Sequence, residues 1–461
     1  MPFALYLLAL AVFAQGTSEF MLSGLVPDIA HDLRVSVPAA GALTSAYAAG
    51  MVVGAPLMAV MALRWSRRRA LLTFLSAFLL VHVVGAVTTS FGVLLATRAA
   101  GALAGAGFLA VAVATAAGMV APDAKGRATS VLLGGVTVAC VAGVPAGALL
   151  GQVWGWRSAF WAVALICVPA LVAIVRSIPP DRSLPPSRSV PPGHIGPTGG
   201  ADGASGPDAS GPGASGPGVS GPGAAGSGAS GSGASGGGAS GRGAFGGGVR
   251  GEARALRDRR LLAVLLLGAL VNGATFCAFT YLAPLVTAVT GLGAHAVPVV
   301  LALFGAGSFA GVTVAGRLSD RWPGRVLAIG GVALLLGWVT LAFAAGNPVV
   351  TCVLAFVQGA LSFGVGSTLI AQALYAAAGA PTLAGAFATA ALNVGATVGP
   401  WAGGAAIGAG LGFRGPLWVS VALVAVALVL ALISRPSSRA AASGALPPRR
   451  TGEDPARRPH V

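Results

Sequence analysis

The stretch GVLLATRAAGALAGAGFLAVAVATAAGM, residues 92–119, is uniformly apolar except for one charged side chain, Arg98. An α-helix rises about 1.5 Å per residue, so about 20 apolar residues cross a hydrocarbon core about 30 Å thick. The stretch therefore predicts a membrane-spanning helix that carries a single buried charge.

The rest of the chain has the same character. Of its 461 residues 55% are hydrophobic and 9% are charged, and the mean hydropathy is +0.84. A soluble domain averages about 25% charged residues, so a soluble globular protein is excluded. Apolar length and breakers predict an all-α membrane protein with twelve transmembrane helices, at about 3–26, 39–63, 70–89, 92–119, 128–151, 158–176, 261–289, 297–317, 326–345, 349–375, 384–408 and 415–434.

A long polar segment separates the sixth and seventh spans. It repeats Gly at every fifth position, which does not fit collagen, and its Ala, Ser, Gly and Pro residues offer little apolar area to offset ordering of the backbone. We expect a disordered linker, and no room remains for a separate soluble catalytic domain. The predicted units are a six-helix half at 1–176, a cytoplasmic linker at 177–258, a second half at 259–434 and a disordered cytoplasmic tail at 435–461.

The distribution of positive charge predicts the orientation. With both termini in the cytoplasm, every basic residue falls on the cytoplasmic side except Arg34, Arg98, Arg157 and Arg414. The net charge of +16 does not indicate nucleic-acid binding, since the arginines lie between apolar segments without interleaved aromatic residues. We expect a multi-pass protein of the plasma membrane, and the near-absence of lysine suggests a high-GC bacterium.

One acid and one arginine lie deep inside the predicted spans. Glu19 is the one acid well inside a span, Asp28 lies at the outer end of the same helix, and Arg98 lies in span four at a depth similar to that of Glu19. Ionisable groups in a bilayer are costly and are functional by default. Because changes in the separation of an acid and a guanidinium alter proton affinity, we predict that Glu19, Arg98 and Asp28 couple transport to protons. The alternative is a static ion pair that only joins spans one and four.

Two polar stripes are candidate walls of a substrate cavity. The candidates are Gln15 and Ser23, which share a face with Glu19 on span one, and Asn272, Thr275, Phe276 and Phe279 on span seven. A mixture of amide, hydroxyl and aromatic groups suits a moderately apolar ligand with a few hydrogen-bonding groups. Ordinary interhelical packing is the alternative for each residue.

Glycines recur every fourth residue in spans five and eleven. The ladders are Gly135, Ala139, Gly143, Gly147 and Gly151 around Pro145, and Gly395, Gly399 and Gly403 beside Pro400. Small residues at this spacing let helices approach closely, and proline loosens the backbone, so we predict tight contacts that also bend during gating. The recurrence in both parts of the chain implies two pseudo-symmetric halves.

A charged loop follows span eight. Asp320 lies among Arg321 and Arg325, and an acid at a helix end can bind an arginine or a helix N-terminus as a breakable inner latch. The corresponding loop after span two contains no acid, and its positive charge is explained by orientation in the membrane alone.

The sequence contains few features of an enzyme. There is no phosphate-binding loop and no metal-ligand spacing among the cysteines, so we expect no metal, no cofactor and a proton gradient as the driving force. His82, the one histidine deep in a span, has no evident Ser, Cys or Asp partner. An intramembrane enzyme is therefore disfavoured.

Several motifs resemble those of the major facilitator superfamily. The segment Gly395-Ala-Thr-Val-Gly399-Pro400-Trp-Ala-Gly403 resembles its antiporter motif, and Arg98 in LATRAAG matches its span-four arginine, which the resemblance links to proton transfer. The string GTSEFMLSGLVPDIA, residues 16–30, is similar to the opening of a drug:proton antiporter branch that contains actinomycete chloramphenicol-resistance exporters.

The resemblance implies a fold of two six-helix halves and a transport function. The expected activity is proton-coupled export of small drugs, with chloramphenicol or a related phenicol favoured, by a monomer in the lipid bilayer, conferring antibiotic resistance. Efflux of sugars or another small metabolite is the alternative, and a non-transporting membrane receptor is a further one.

Overall fold

The computed structural model describes residues 3–62, 65–121, 124–178, 258–319, 321–376 and 381–434, and the regular structure among them is helical. Nearly all of the predicted linker, the whole tail and Asp320 lie outside the described residues. The predictions made for those segments are therefore not addressed by the structure.

Helices occupy all twelve predicted positions. In the first half, span one consists of Phe3–Phe20 and Leu22–Asp32, span two of Val37–Ala62, span three of Arg67–Val87, span four of Phe91–Gly118, span five of Lys125–Val138, Ala139–Gly143 and Val144–Trp154, and span six of Arg157–Ser177. In the second half, span seven consists of Arg259–Thr280, Leu282–Pro284 and Leu285–Val289, span eight of Val297–Ser319, span nine of Pro323–Ala344, span ten of Pro348–Ala376, span eleven of Pro381–Ala406 and Ile407–Leu411, and span twelve of Gly415–Ile433.

Length and apolar character alone give eleven membrane-crossing helices in the described part of the chain, of which the last, Phe387–Ile433, has 47 residues. A straight helix of that length would be about 70 Å long, more than twice the thickness of the hydrocarbon core. The backbone turns within it, because Gly410 and Gly412 have φ of 89° and 61°, values that favour glycine. The segment is therefore two spans, and the prediction of twelve is confirmed.

Proline explains two of the breaks in the helices. A widened π-turn at Ala139–Gly143 directly precedes the helix that contains Pro145, and in span seven the helix Arg259–Thr280 ends four residues before Pro284. Proline has no N–H to donate to the preceding turn, so the regular ladder of hydrogen bonds is interrupted there. The break at Met21 in span one has no proline within one turn and needs another cause.

The packing of the first six spans is repeated by the last six. In the first half, span one packs on spans five and six, span two on span four, and span three on spans four and six. In the second half, span seven packs on spans eleven and twelve, span eight on span ten, and span nine on spans ten and twelve. Each contact in the first half has its counterpart six spans later. The predicted pseudo-symmetry of the two halves is confirmed.

The halves meet through spans two and eleven and through spans five and eight. On the side predicted to face outward, Gln152 Nε2 donates to the Ala294 carbonyl at 2.6 Å. The ring of Tyr281 lies against Gly41 of span two and Gly404 of span eleven, and both glycines leave room for it because they lack a side chain. The ends of the two halves on this side are thus packed together in this conformation.

Candidate functional site

Arg98 is the buried charge at the centre of the first half, with 2% of its surface exposed. Its Nη1 donates to the Ser18 hydroxyl and its Nη2 to the Ser18 carbonyl, both at 2.8 Å. The guanidinium also lies 4.5 Å from the centre of the Tyr47 ring, within range of a cation–π contact. Arg98 is therefore held against span one by the residue adjacent to Glu19.

Glu19 lies beside this cluster and is partly exposed, unlike Ser18 and Phe20 on either side of it. Within the described residues no basic nitrogen lies within 4.0 Å of its carboxylate. Glu19 and Arg98 are thus neighbours that form no ion pair in this conformation. An arrangement of this kind leaves the carboxylate able to exchange a proton while the guanidinium is held elsewhere.

The break in span one lies at the same place. The helix ends at Phe20 and restarts at Leu22, and the Ser18 carbonyl near the break accepts Arg98 Nη2. A side chain that inserts into the ladder of backbone hydrogen bonds is a known cause of a break. We attribute the break at Met21 to Arg98, a cause that lies 80 residues away in the sequence.

His82 has a partner that the sequence did not reveal. Its Nε2 lies 2.7 Å from Ser18 Oγ, and its Nδ1 lies 2.7 Å from the Phe78 carbonyl. The expectation that His82 lacks a serine partner is wrong, because a contact between spans one and three cannot be deduced from spacing within either helix.

The other candidates on span one are placed differently from one another. Gln15 and Ser23 are buried, and Gln15 Nε2 has no hydrogen-bond partner among the described residues. Asp28 is exposed, about 13 Å along the helix from Glu19. The structure therefore does not bring Asp28 to the cluster of Glu19, Ser18 and Arg98.

A cavity that is partly open lies against span seven, and three of the four predicted residues of that span line it, Asn272, Thr275 and Phe276. The fourth, Phe279, lies behind it and packs on Phe20 and Phe304. The other lining residues are Phe20 of span one, Ser362, Phe363, Gly366, Ser367 and Ile370 of span ten, and Leu392 of span eleven.

Aromatic rings connect this cavity with the first half. Phe20 stacks on Phe276 at 5.6 Å and meets Phe279 edge-on at 6.2 Å; Phe304 then lies 4.7 Å from Phe279 and 6.2 Å from Phe363. Phe20 directly follows Glu19, and the proximity of the two could have been noticed in the sequence. The sequence did not predict that Ser362 and Ser367 of span ten line the cavity, because their spacing does not indicate that span ten lies next to span seven.

The polar groups of the cavity differ in their freedom to bind a ligand. Asn272 Nδ2 donates to the Leu392 carbonyl at 2.7 Å, and the hydroxyls of Thr275 and Ser367 donate within their own helices. The buried hydroxyl of Ser362 has no partner among the described residues. A buried polar group without a partner is destabilising, so the Ser362 hydroxyl is the strongest candidate to bind a ligand acceptor.

The glycine ladders are tight contacts within each half. The glycines of span five pack against span one: Gly135 against Ala9 and Phe13, Gly143 against Thr17, Gly147 against Met21 and Gly151 against Leu25. The glycines of span eleven pack against span seven: Gly395 against Ala269, Gly399 against Gly273 and Gly403 against Cys277. The partners on spans one and seven are themselves spaced by four, so the two ladders are equivalent. Pro145 and Pro400 lie within these contacts, in Val144–Trp154 and Pro381–Ala406.

The inner loop after span eight is described only in part. Arg321 and Arg325 are exposed, and Arg325 lies 3.9 Å from the centre of the Trp322 ring. Asp320, the acid of the predicted latch, lies outside the described residues. The latch stays a prediction.

An ion pair joins spans one and six on the side predicted to face outward. Asp32, beyond the apolar part of span one, accepts hydrogen bonds from Arg157 Nη1 and Trp156 Nε1, and Arg157 also donates to the Thr88 carbonyl. The hydrogen bonds from Arg157 and Trp156 lower the pKa of Asp32. Spans one, three and six are thereby joined at their outer ends.

Two pseudo-symmetric bundles, an aromatic cavity lined by residues of both, and a buried arginine next to a partly exposed acid define the class as a membrane transporter. The chain belongs to the Major Facilitator Superfamily, whose family model matches residues 8–312 and 264–459. Membership of this family of transporters confirms the prediction that the chain is not an enzyme.

The chain is similar to two other proteins along nearly its whole length. It is 52% identical to a chloramphenicol resistance protein of Streptomyces lividans, over 94% of this chain and 96% of the relative. It is 31% identical to the inner membrane transport protein YdhP of Escherichia coli K12, over the same shares.

The fold also matches a solved structure. A bacterial homologue of the human lysosomal transporter Spinster, in an inward-facing and unoccupied conformation, aligns with a TM-score of 0.66 at 16% identity, covering 93% of this chain and 95% of that one. At this identity the likeness supports the fold alone.

Proposed function

We propose that this protein exports chloramphenicol or closely related phenicols in exchange for protons, by alternating access, and so confers resistance. The observation that carries the proposal is the 52% identity, over nearly the full length of both chains, to a chloramphenicol resistance protein. A relation of this extent includes every span that lines the cavity.

The chemistry of the cavity supports a ligand of this class. Chloramphenicol is an uncharged molecule with one aromatic ring, two hydroxyls and an amide. The rings of Phe20, Phe276 and Phe363 offer apolar contact for its aromatic ring, while Asn272 and Ser362 offer an acceptor and a donor. No acidic or basic residue lines the cavity among the described residues, as an uncharged ligand requires.

The position of Glu19 supports coupling to protons. Phe20 lines the cavity, and Glu19, the preceding residue, lies next to Arg98. A movement of this part of span one therefore alters drug and proton sites together. In the proposed cycle the drug enters from the cytoplasm, the halves rock until the outer side opens, and protonation of Glu19 accompanies release of the drug and return.

We place both termini in the cytoplasm, and with that orientation the packed ends of the two halves face outward and the conformation is inward-facing. The Gln152 to Ala294 hydrogen bond and the ring of Tyr281 join the halves at that side. We place the protein in the cell membrane as a monomer that needs only the proton gradient. Arg321 and Arg325, with Asp320, would form the inner latch, and Gly143, Pro145, Gly147, Gly399 and Pro400 the bending contacts.

The experiment that tests this function is drug uptake into inverted membrane vesicles. We expect chloramphenicol to accumulate only when the vesicle interior is acidic, and a protonophore to abolish the accumulation. The control is a set of vesicles without the protein. Gradient-driven uptake of sugars without uptake of any phenicol would favour the metabolite alternative and would contradict the proposal.

Ser362→Ala tests the binding site within this function. We expect the Kd for chloramphenicol to rise about two- to tenfold, the effect of losing one hydrogen bond worth about 0.5–1.5 kcal/mol. The ligand-free protein should become slightly more thermostable, because a buried hydroxyl without a partner is removed. Equilibrium binding to purified protein and thermal unfolding measure the two effects.

The matched control is Ser367→Ala, which removes a hydroxyl from the same cavity that already donates to the Gly364 carbonyl at 3.0 Å. We expect a smaller change in Kd and no gain in thermostability. Equal effects of the two variants on Kd would show that Ser362 has no special role.

A further inference from the structure

His82 is a buried histidine that the proposed transport cycle does not use. It is 2% exposed, and its ring lies 4.2 Å from the Phe78 ring and 5.9 Å from the Phe160 ring. It does not line the cavity. Its two nitrogens nevertheless both lie at hydrogen-bonding distance from oxygens, Ser18 Oγ and the Phe78 carbonyl.

The partners determine where the protons lie. A carbonyl oxygen only accepts, so Nδ1 carries a proton and donates it to Phe78. A second positive charge beside the Arg98 guanidinium in apolar surroundings would be strongly repelled, so the ring is neutral and Nε2 is an acceptor. The Ser18 hydroxyl therefore donates to His82 and accepts from Arg98 Nη1 with a lone pair.

This gives one continuous series of donors, from Arg98 to Ser18, from Ser18 to His82, and from His82 to the Phe78 carbonyl. Without His82, the Ser18 hydroxyl could rotate and donate elsewhere, and its lone pair would no longer be directed at Arg98. Arg98 Nε already has no partner among the described residues, so the guanidinium depends on few bonds for its position.

We propose that His82 is a positioning residue for Arg98. By accepting the hydrogen bond of the Ser18 hydroxyl it directs a lone pair of that oxygen at Arg98 Nη1, which holds the guanidinium on span one and away from the Glu19 carboxylate. The inference rests on the proposed role of Glu19 in proton exchange. Its consequence is that His82 sets the pH at which the transporter exchanges drug for protons.

The direction of the effect follows from the groups that face Arg98. Among the described residues these are Glu19 on span one, Tyr47 on span two and His82 on span three, with Cys140 of span five near Glu19. Tyr47 is held in place as the cation–π partner. Without the bond to the Ser18 hydroxyl, Arg98 keeps only the Nη2 bond to the Ser18 carbonyl and can move toward Glu19, its anionic neighbour. An ion pair between the two would lower the pH at which Glu19 takes up a proton.

The test compares His82→Leu, His82→Gln and Ser18→Ala in proteoliposomes, with drug–proton exchange measured as a function of pH. His82→Leu should move the half-maximal pH about one unit to the acid side. Ser18→Ala should move it in the same direction, since it removes the hydroxyl itself. His82→Gln should restore the wild-type midpoint, because the Gln oxygen can accept from Ser18 and does not titrate.

Several outcomes would overturn the proposal. If His82→Gln shifts the midpoint as far as His82→Leu, the imidazole acts as a proton carrier and not as a positioning residue. An unshifted midpoint in both His82→Leu and Ser18→Ala would show that the bond does not position Arg98. Should His82→Leu fail to fold, as judged by size-exclusion chromatography, Ser18→Ala and His82→Gln still decide between these readings.

Failure of this inference and failure of the proposed function give different results. If the wild-type protein shows no pH-driven exchange of phenicols, the proposed function is wrong. If wild-type exchange is coupled and the variants leave its pH profile unchanged, only the role of His82 is wrong.

Discussion

Glu19→Gln should give a folded, membrane-inserted protein that no longer accumulates chloramphenicol against its gradient. Glutamine has nearly the same shape as glutamic acid but cannot carry a titratable proton. Because Glu19 is the acid adjacent to the Arg98 cluster and Phe20 of the cavity directly follows it, its loss should uncouple drug movement from the proton gradient. We expect uptake into inverted vesicles to fall to the level of vesicles without the protein.

Two variants show whether the effect is specific. Glu19→Asp keeps a titratable group and should retain partial accumulation. Asp28→Asn removes an exposed acid from the same span, about 13 Å away, and should leave coupled uptake in place. Full gradient-driven accumulation by Glu19→Gln would contradict the proposed coupling, and a loss equally large in Asp28→Asn would show that the acid at position 28 belongs to the proton site after all.

Gly135→Val should prevent the first half from assembling. A Cβ at Gly135 would lie 2.9 Å from the Phe13 nitrogen and 3.3 Å from Val12 Cβ, so spans one and five would have to move apart. Overpacking a well-packed contact costs about 1–3 kcal/mol, and here the obstacle is backbone, which cannot rotate away. We expect at least about a tenfold loss of monodisperse protein on size-exclusion chromatography, since 1.4 kcal/mol is a factor of ten.

The neighbouring glycine provides the control. A Cβ at Gly134 would have nothing within 4 Å, although it lies in the same helix, Lys125–Val138, one residue away. Gly134→Val should therefore be recovered at the wild-type level and transport drug. If both valine variants are recovered equally well, the close approach of spans one and five is not essential for assembly.

The sequence predicted most of the fold because the features that define it are local. The apolar length of each span and the placement of arginine relative to the spans can be counted directly. The glycine ladders also predicted that spans five and eleven make close contacts. Only the structure identified their partners as spans one and seven. A glycine ladder indicates that another helix approaches closely, but it does not indicate which helix that is.

The site was predicted in part. Asn272, Thr275 and Phe276 share one helix face and could be recognised by their spacing, and all three line the cavity. Ser362 and Leu392 belong to two other spans, and their approach to span seven is set by tertiary packing. The same limit applies to His82, whose contact with Ser18 joins residues 64 positions apart.

The amino-acid sequence by itself determined that the chain crosses the membrane many times and which few ionisable groups are embedded in apolar spans. These are properties of single segments in contact with lipid or water, and each segment carries the whole signal. Only the tertiary structure decided that Arg98 binds Ser18 and not Glu19, and that span ten completes the cavity. Contacts of this kind depend on the rotation of each helix about its axis, which is set by packing against several neighbours at once.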